Sequence, residues 1–301
     1  MRLRITHETR YQYQQPINGL IQTLRLTPRN HDGQYVVGWR IDVSADCRLE
    51  RHQDAFGNLT DTFSMNGHLD HLSVLVAGEV ETEDSHGVVR GTVEPLPPSL
   101  FLRETDLTRA DPAIEAFAND VAMSGPTDPL DRLHTLLLRL NTDIVYDSDP
   151  THTATTAAEA FALKRGVCQD ITHIFISAAR RLGIPARYVG GYYYSGSDEN
   201  QAGASHAWAE AFVPGLGWVG FDATNGICIT DTHVRVAAGL DYLGAAPVRG
   251  SRRGGTGETM TVEVFVTRMG MFDQASSPSR AQEQAQSRTK GLPQSQIQSQ
   301  N

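Results

Sequence analysis

Three observations predict an α+β fold with an amino-terminal antiparallel β-sandwich ahead of a mixed α+β domain. Apolar residues alternate with period two over the first 95 positions, recur every three or four positions after a proline-rich break, and return to short β-type runs near residue 187. The length of 301 residues favours two domains at roughly 150 residues each.

Leu3, Ile5, His7, Thr9, Tyr11 and Tyr13 share one face, with Arg4, Thr6, Glu8, Arg10 and Gln12 opposite, the pattern of a half-buried strand. Tyr35 to Val43 repeats it, Leu59 to Met65 follows the turn-like Asp54-Ala-Phe-Gly-Asn58, and Leu72 to Val80 ends the series. Short strands separated by turn signals fit an antiparallel sandwich. His68 and His71 read as loop residues. Glu94-Pro-Leu-Pro-Pro98 stops the pattern, because proline removes ladder donors and pushes its predecessor toward extended geometry. The boundary is placed there, giving a β domain at 1–95 and a second domain at 96–270.

Beyond it, Ile114, Phe117 and Val121, then Leu130, Leu133, Leu137 and Leu140, keep helical spacing. Thr156-Ala-Ala-Glu159 has the capping-box spacing, and Arg165-Gly166 stops that helix. Ile171, Ile174, Phe175, Ala178 and Leu182 predict a further helix beginning near Cys168 and ending at Gly183. Arg187–Tyr194, His206–Val213 and Gly217–Asp222 read as strands, the last two joined tightly through Pro214, and Met260–Val266 reads as a closing strand. Arg249–Gly255 reads as a flexible basic loop and Ser195–Ala202 as a surface loop. The Gln/Ser-rich stretch 271–301 lacks core formers and is expected to be disordered.

A net charge of −9 with no Lys/Arg block gives no electrostatic footprint for nucleic acid or anionic lipid. Cys47, Cys168 and Cys228 are too scattered for a disulfide framework. With no apolar leader and no window near the roughly 18 apolar residues of a membrane helix, the expectation is a cytoplasmic protein without membrane association.

Chemistry concentrates around one cysteine. Cys168 falls on the first turn of its predicted helix, where unpaired N–H groups and the macrodipole favour thiolate. His206 heads one strand and Asp222 ends the next, so base and orienter could meet across one hairpin. For the two to share a face, paired positions across that hairpin must have equal parity, which requires a three-residue or bulged connection. Asp170 and His173 lie about 200° and 140° around the helix from Cys168 and are expected to serve structure. Cys, His and Asp are also zinc ligands, but further ligands at short spacing are missing; neither metal nor cofactor is expected.

Gly166-Val-Cys-Gln-Asp170, Ala204-Ser-His-Ala-Trp208 and Gly217-Trp-Val-Gly-Phe-Asp-Ala-Thr-Asn225 resemble, in order, the three catalytic blocks of the bacterial transglutaminase-like superfamily. The amino-terminal strands with Asp54–Asn58 look like the β domain that precedes this core in one bacterial branch, and Asp241-Tyr242 with Pro247-Val-Arg-Gly250 look like that branch's carboxyl-terminal block. The resemblance implies a papain-like core with Cys168 as nucleophile, His206 as general base and acid, and Asp222 as its orienter. The family's helix usually opens with an aromatic where this chain has Ile171-Thr172, a difference of packing. The backbone N–H of Cys168 is the expected oxyanion donor. Trp208 and Trp218 flank the hairpin and are either the walls of an acyl-substrate cleft or core; they are the candidate substrate-binding residues.

The implied activity is thiol-dependent acyl transfer on peptide or protein amides, with hydrolysis the default. The rivals are an amine-accepting transglutaminase or peptide-bond-forming enzyme, with Glu210, Asp198 and Glu199 as acidic lining for an amine, and a catalytically silent peptide-binding module. An arylamine N-acetyltransferase shares the Cys, His, Asp order but lacks the amino-terminal β domain and the His-Ala-Trp block.

Overall fold

A computed structural model describes residues 1–125, 127–196 and 205–270. The expected tail at 271–301 and most of the polar stretch 195–202 lie outside the described residues.

The amino-terminal alternation becomes β1 (Arg2–Thr27), followed by β2 (Gln34–Val43), β3 (Glu50–Gln53), β4 (Leu59–Thr82) and the short β5 (Val88–Val89). β4 runs antiparallel along β1 from Arg2 opposite Glu81 to Thr27 opposite Leu59. Next come α1 (Pro112–Ser124), α2 (Pro129–Asp143), β6 (Val145–Tyr146), α3 (Ala157–Leu163), β7 (Arg165–Gly166) and α4 (Cys168–Arg181). Asp111 and Asp128 cap α1 and α2 by accepting first-turn N–H bonds, and Thr156 and Glu159 close the capping box on α3 that their spacing predicts. The chain then forms β8 (Ala186–Tyr193), β9 (His206–Val213), β10 (Gly217–Asp222), β11 (Ile227–Cys228), β12 (His233–Gly239), α5 (Tyr242–Ala245), β13 (Val248–Gly254) and β14 (Glu258–Arg268). An amino-terminal antiparallel β domain of the sandwich or barrel kind thus precedes an α+β core, whose sheet has the order β11-β10-β9-β8-β12 with β5 also on β10.

The closing strand expected at Met260–Val266 forms inside β14, but its partner is β1. Leu3 faces Arg268 and Tyr13 faces Glu258, and from Ile17 onward β13 takes over the same strand. The handover falls at Pro16, which has no N–H to offer a ladder. Arg249–Gly255, expected as a loop, is mostly β13: polar side chains do not prevent pairing at a sheet edge.

The core joins both sheets. Leu3, Ile5, Val80 and Val264 belong to the same apolar cluster as Ile114, Leu133, Phe175 and Phe221, while Tyr11, Ile17, Leu24, Phe63 and Leu72 form a second cluster on the β domain. α4 lies between the faces of β8 and β9 on one side and α1 to α3 on the other, and every residue from Gln169 to Arg180 is buried. Its far end is fixed by Arg180, which donates to the carbonyls of Phe101, Ala186 and Leu240 and to Thr108 Oγ1. Arg180→Met leaves these acceptors without a donor, at a cost of about 3 kcal/mol or more. Urea unfolding should show that loss; a variant within about 0.5 kcal/mol of the parent would deny Arg180 this role.

Candidate active site

One end of the second sheet collects the chemistry. Antiparallel order brings together the end of β8, the start of β9, the end of β10 and the start of β12, so Tyr193, His206, Asp222 and His233 meet there. The hairpin between β9 and β10 has three connecting residues, Pro214 to Leu216, and pairs Val213 with Gly217 and Ala209 with Phe221, the parity that puts His206 and Asp222 on one face. Gly191 lies opposite His206 on β8, where a Cβ would come within 2.7 Å of the Trp208 ring, so the close packing beneath His206 requires glycine.

Cys168 reaches this end from the first turn of α4. Asp170 Oδ2 accepts the Val167 N–H at 2.9 Å, and Gly166 allows the approach, since a Cβ there would sit 2.7 Å from that oxygen. Cys168 Sγ lies 4.0 Å from the Ser205 carbonyl oxygen, beside His206. Asp170 and His173 hold structural bonds, the latter through Nε2, which accepts the Tyr242 N–H at 3.0 Å.

Asp222 is fully buried and accepts from His206 Nε2 at 2.7 Å, His233 Nε2 at 3.1 Å and Asn225 Nδ2 at 2.6 Å, with the Thr224 and Asn225 N–H groups on its other oxygen. Burial opposes its charge, yet the bonds from His206 and His233 hold the carboxyl below the usual carboxylate range. Burial likewise opposes charge on His206, but hydrogen bonds to Asp222 and Cys168 push its pKa up to about 10. With Nε2 on Asp222, Nδ1 is the ring nitrogen available to Cys168.

His233 is the residue that sequence reasoning missed. The Thr230 N–H donates to its Nδ1 at 3.2 Å, so Nε2 carries the proton given to Asp222, and burial keeps the ring neutral. The Tyr193 ring packs against both imidazoles, 5.2 Å from His206 and 4.8 Å from His233. His206, Asp222 and His233 place their ligand atoms within 4.8 Å of one another, the geometry of a metal cluster. A metal on His233 Nε2 would require a proton on Nδ1, where the Thr230 N–H already donates, so the donor set favours hydrogen bonding.

Cys168 and His206 open onto a cavity of about 360 Å³, walled by Tyr146, Tyr188 and Tyr192 and, from the β domain, by His7, Leu26 and Met260. Trp208 and Trp218 are not on its wall. Both share the strand face of His206 and Asp222 yet are buried in an apolar cluster with Val89, Phe101 and Val189, so of the two readings they belong to the core rather than to a substrate cleft. Glu210 is also withdrawn from any amine-binding lining, being fully buried between Arg187 and Arg235.

Residues 115–223, which hold Cys168, His206 and Asp222, match the transglutaminase-like superfamily, and residues 3–81 match the bacterial transglutaminase-like N-terminal region. The chain belongs to the transglutaminase-like superfamily. Uncharacterized protein ML0607 of Mycobacterium leprae is 29% identical over 280 residues, covering 89% of this chain and 99% of its own length. Uncharacterized protein Rv2569c of Mycobacterium tuberculosis is 29% identical, covering 83% and 87%. A solved structure from Cytophaga hutchinsonii, provisionally described as a cysteine protease, shares the fold at a TM-score of 0.71 and 20% identity, covering 90% of this chain and 92% of that one. The periplasmic domain of TgpA from Pseudomonas aeruginosa matches at a TM-score of 0.38 and 16% identity, covering 72% and 87%. The cytoplasmic expectation is withdrawn. A few scattered cysteines do not select a compartment, and none is assigned to this chain. Among the described residues no helix is long and apolar enough to cross a membrane.

The His206 pKa, about 10 when folded against an ordinary 6.5, gives a signed pH dependence. The stability it contributes is fully present below pH 6.5 and is lost as pH rises toward 10. The difference in urea midpoint between the parent and His206→Gln should therefore shrink across that window. A constant difference would contradict the raised value.

Proposed function

We propose that this transglutaminase-like protein is a thiol enzyme that transfers the acyl group of a peptide or protein amide, with Cys168 as nucleophile, His206 as acid and base, and Asp222 as its orienter. One observation carries the reading: an imidazole bonded to a buried carboxylate and a cysteine on the first turn of a buried helix open onto the same cavity. In this scheme the Cys168 thiolate attacks the amide carbonyl and the Cys168 N–H, which has no partner within the helix, faces the developing oxyanion. The His206 Nδ1 proton goes to the departing amine as the C–N bond breaks, leaving a thioester. Neutral His206 then takes a proton from water, whose oxygen adds to the thioester carbonyl, and the carboxylic acid leaves as the thiolate is restored. Asp222 keeps Nε2 protonated throughout and fixes the ring tilt.

Water is the proposed acceptor. A captured lysine would need acidic lining, and Glu210 already belongs to two arginines. Two measurements test the scheme. Iodoacetamide at pH 6 should label Cys168 well before Cys47 and Cys228, whose thiols burial pushes up. A peptide library incubated with a labelled alkyl amine at millimolar concentration should yield acid rather than amide, and Cys168→Ala should abolish both. Equal labelling of the three cysteines would remove the nucleophile, while predominant amide would keep it and make the protein a transferase.

A further inference from the structure

We propose that Arg25 on β1 recognises a carboxylate in the cavity beside Cys168, so that the substrate taken there joins an apolar group to a free carboxylate. The inference deepens the acyl-transfer reading and rests on it for the identity of the cavity as the substrate site.

Arg25 lines the same cavity as Cys168 and His206, its side chain is 15% exposed, and its guanidinium is used on one edge only. Nε donates to Asp54 Oδ2 at 2.9 Å, while Nη1 is buried and has no acceptor among the described residues. Among the described residues, no other on the cavity wall carries a buried polar side-chain atom without a partner. Asp54 cannot serve Nη1 as well. Its Oδ1 accepts the Phe56 and Asn58 N–H groups, and its Oδ2 accepts Asn58 Nδ2 besides Arg25 Nε. That carboxylate is spent on closing the Asp54–Asn58 turn, and the outer fork of Arg25 is left over.

An arginine donor buried without an acceptor is costly, and a planar fork matches a carboxylate best. Around it the wall is apolar: Leu26, Val236, Met260, Val262, Tyr188 and Tyr192. A volume of about 360 Å³ sits at the small end of ligand sites, with room for one apolar ring or side chain and a charged end. The carboxylate comes either from an acidic side chain or from a chain terminus.

The test uses the full chain carrying Cys168→Ala, so that binding is read without turnover. The probes are phenylacetate, 3-phenylpropionate and 4-phenylbutyrate, each beside its primary amide, followed by calorimetry or ligand-observed NMR. At least one acid should bind about tenfold or more tighter than its amide, and adding Arg25→Gln should erase that gap while leaving the amide unchanged. Equal binding of acid and amide, no binding of any acid, or a gap that survives Arg25→Gln overturns the proposal. Because Arg25 also holds Asp54, a second measurement avoids the variant: in the parent protein the tightest acid should slow iodoacetamide labelling of Cys168 more than its amide does, and equal slowing overturns the proposal. Peptides ending in a free or amidated carboxyl, and peptides with Glu against Gln, separate the two sources. Acid preference without any Cys168-dependent turnover would sink the acyl-transfer reading alone, whereas turnover without acid preference would sink the Arg25 assignment alone.

Discussion

The buried carboxylate of Asp222 is the group around which the site is built. A charge with no exposure is tolerated only when its lone pairs are filled, and here five donors fill them: two imidazoles, one amide side chain and two backbone N–H groups. Those donors come from β9, the turn after β10, and β12, so compensating one charge ties three segments of the sheet together. The same compensation sets the proton positions. His233, neutral and fixed as a donor by Thr230, leaves His206 as the ring that carries charge between Asp222 and Cys168.

Burial of α4 does the complementary work on Cys168. A helix buried over twelve successive residues has no freedom to slide, so its first turn delivers Cys168 at a fixed height against the sheet end. Gly166 and Asp170 anchor the start, and Arg180 anchors the other end through the carbonyls of three separate segments. Rigid elements rather than loops therefore hold the sulfur and the imidazole, the condition for a pre-organised reaction geometry.

The β domain adds a wall rather than an appendage. β1 is long enough to contribute Leu3 and Ile5 to the shared core at one end and Arg25 and Leu26 to the cavity at the other, and its outer edge is covered by the β13–β14 hairpin, which adds Met260 and Val262 to the same wall. Residues far apart in the chain thus decide together what can lie beside Cys168.

Local features were legible in the sequence because their physics is local. Alternation over Leu3–Tyr13, the Thr156–Glu159 cap, the amphipathic run after Cys168 and the parity of the β9–β10 hairpin each involve neighbours within a few residues, and so did the candidates Cys168, His206 and Asp222, which also stand in three ordered blocks. Pairing partners and sides were not legible. Period two puts Trp208 on the strand face of His206 without saying that Val89, Phe101 and Val189 bury it, and Met260–Val266 reads as a strand without saying that β1 is its mate. His233 lies outside the three blocks, eleven residues beyond Asp222, and reaches that carboxylate only because β8 sets β12 in register, Tyr193 opposite His233. The sequence by itself determined most element types, the edge strand β13 excepted, and the reactive groups they carry; the tertiary structure alone decided which of those groups share a buried charge or a cavity, because both are set by long-range packing that no local spacing encodes.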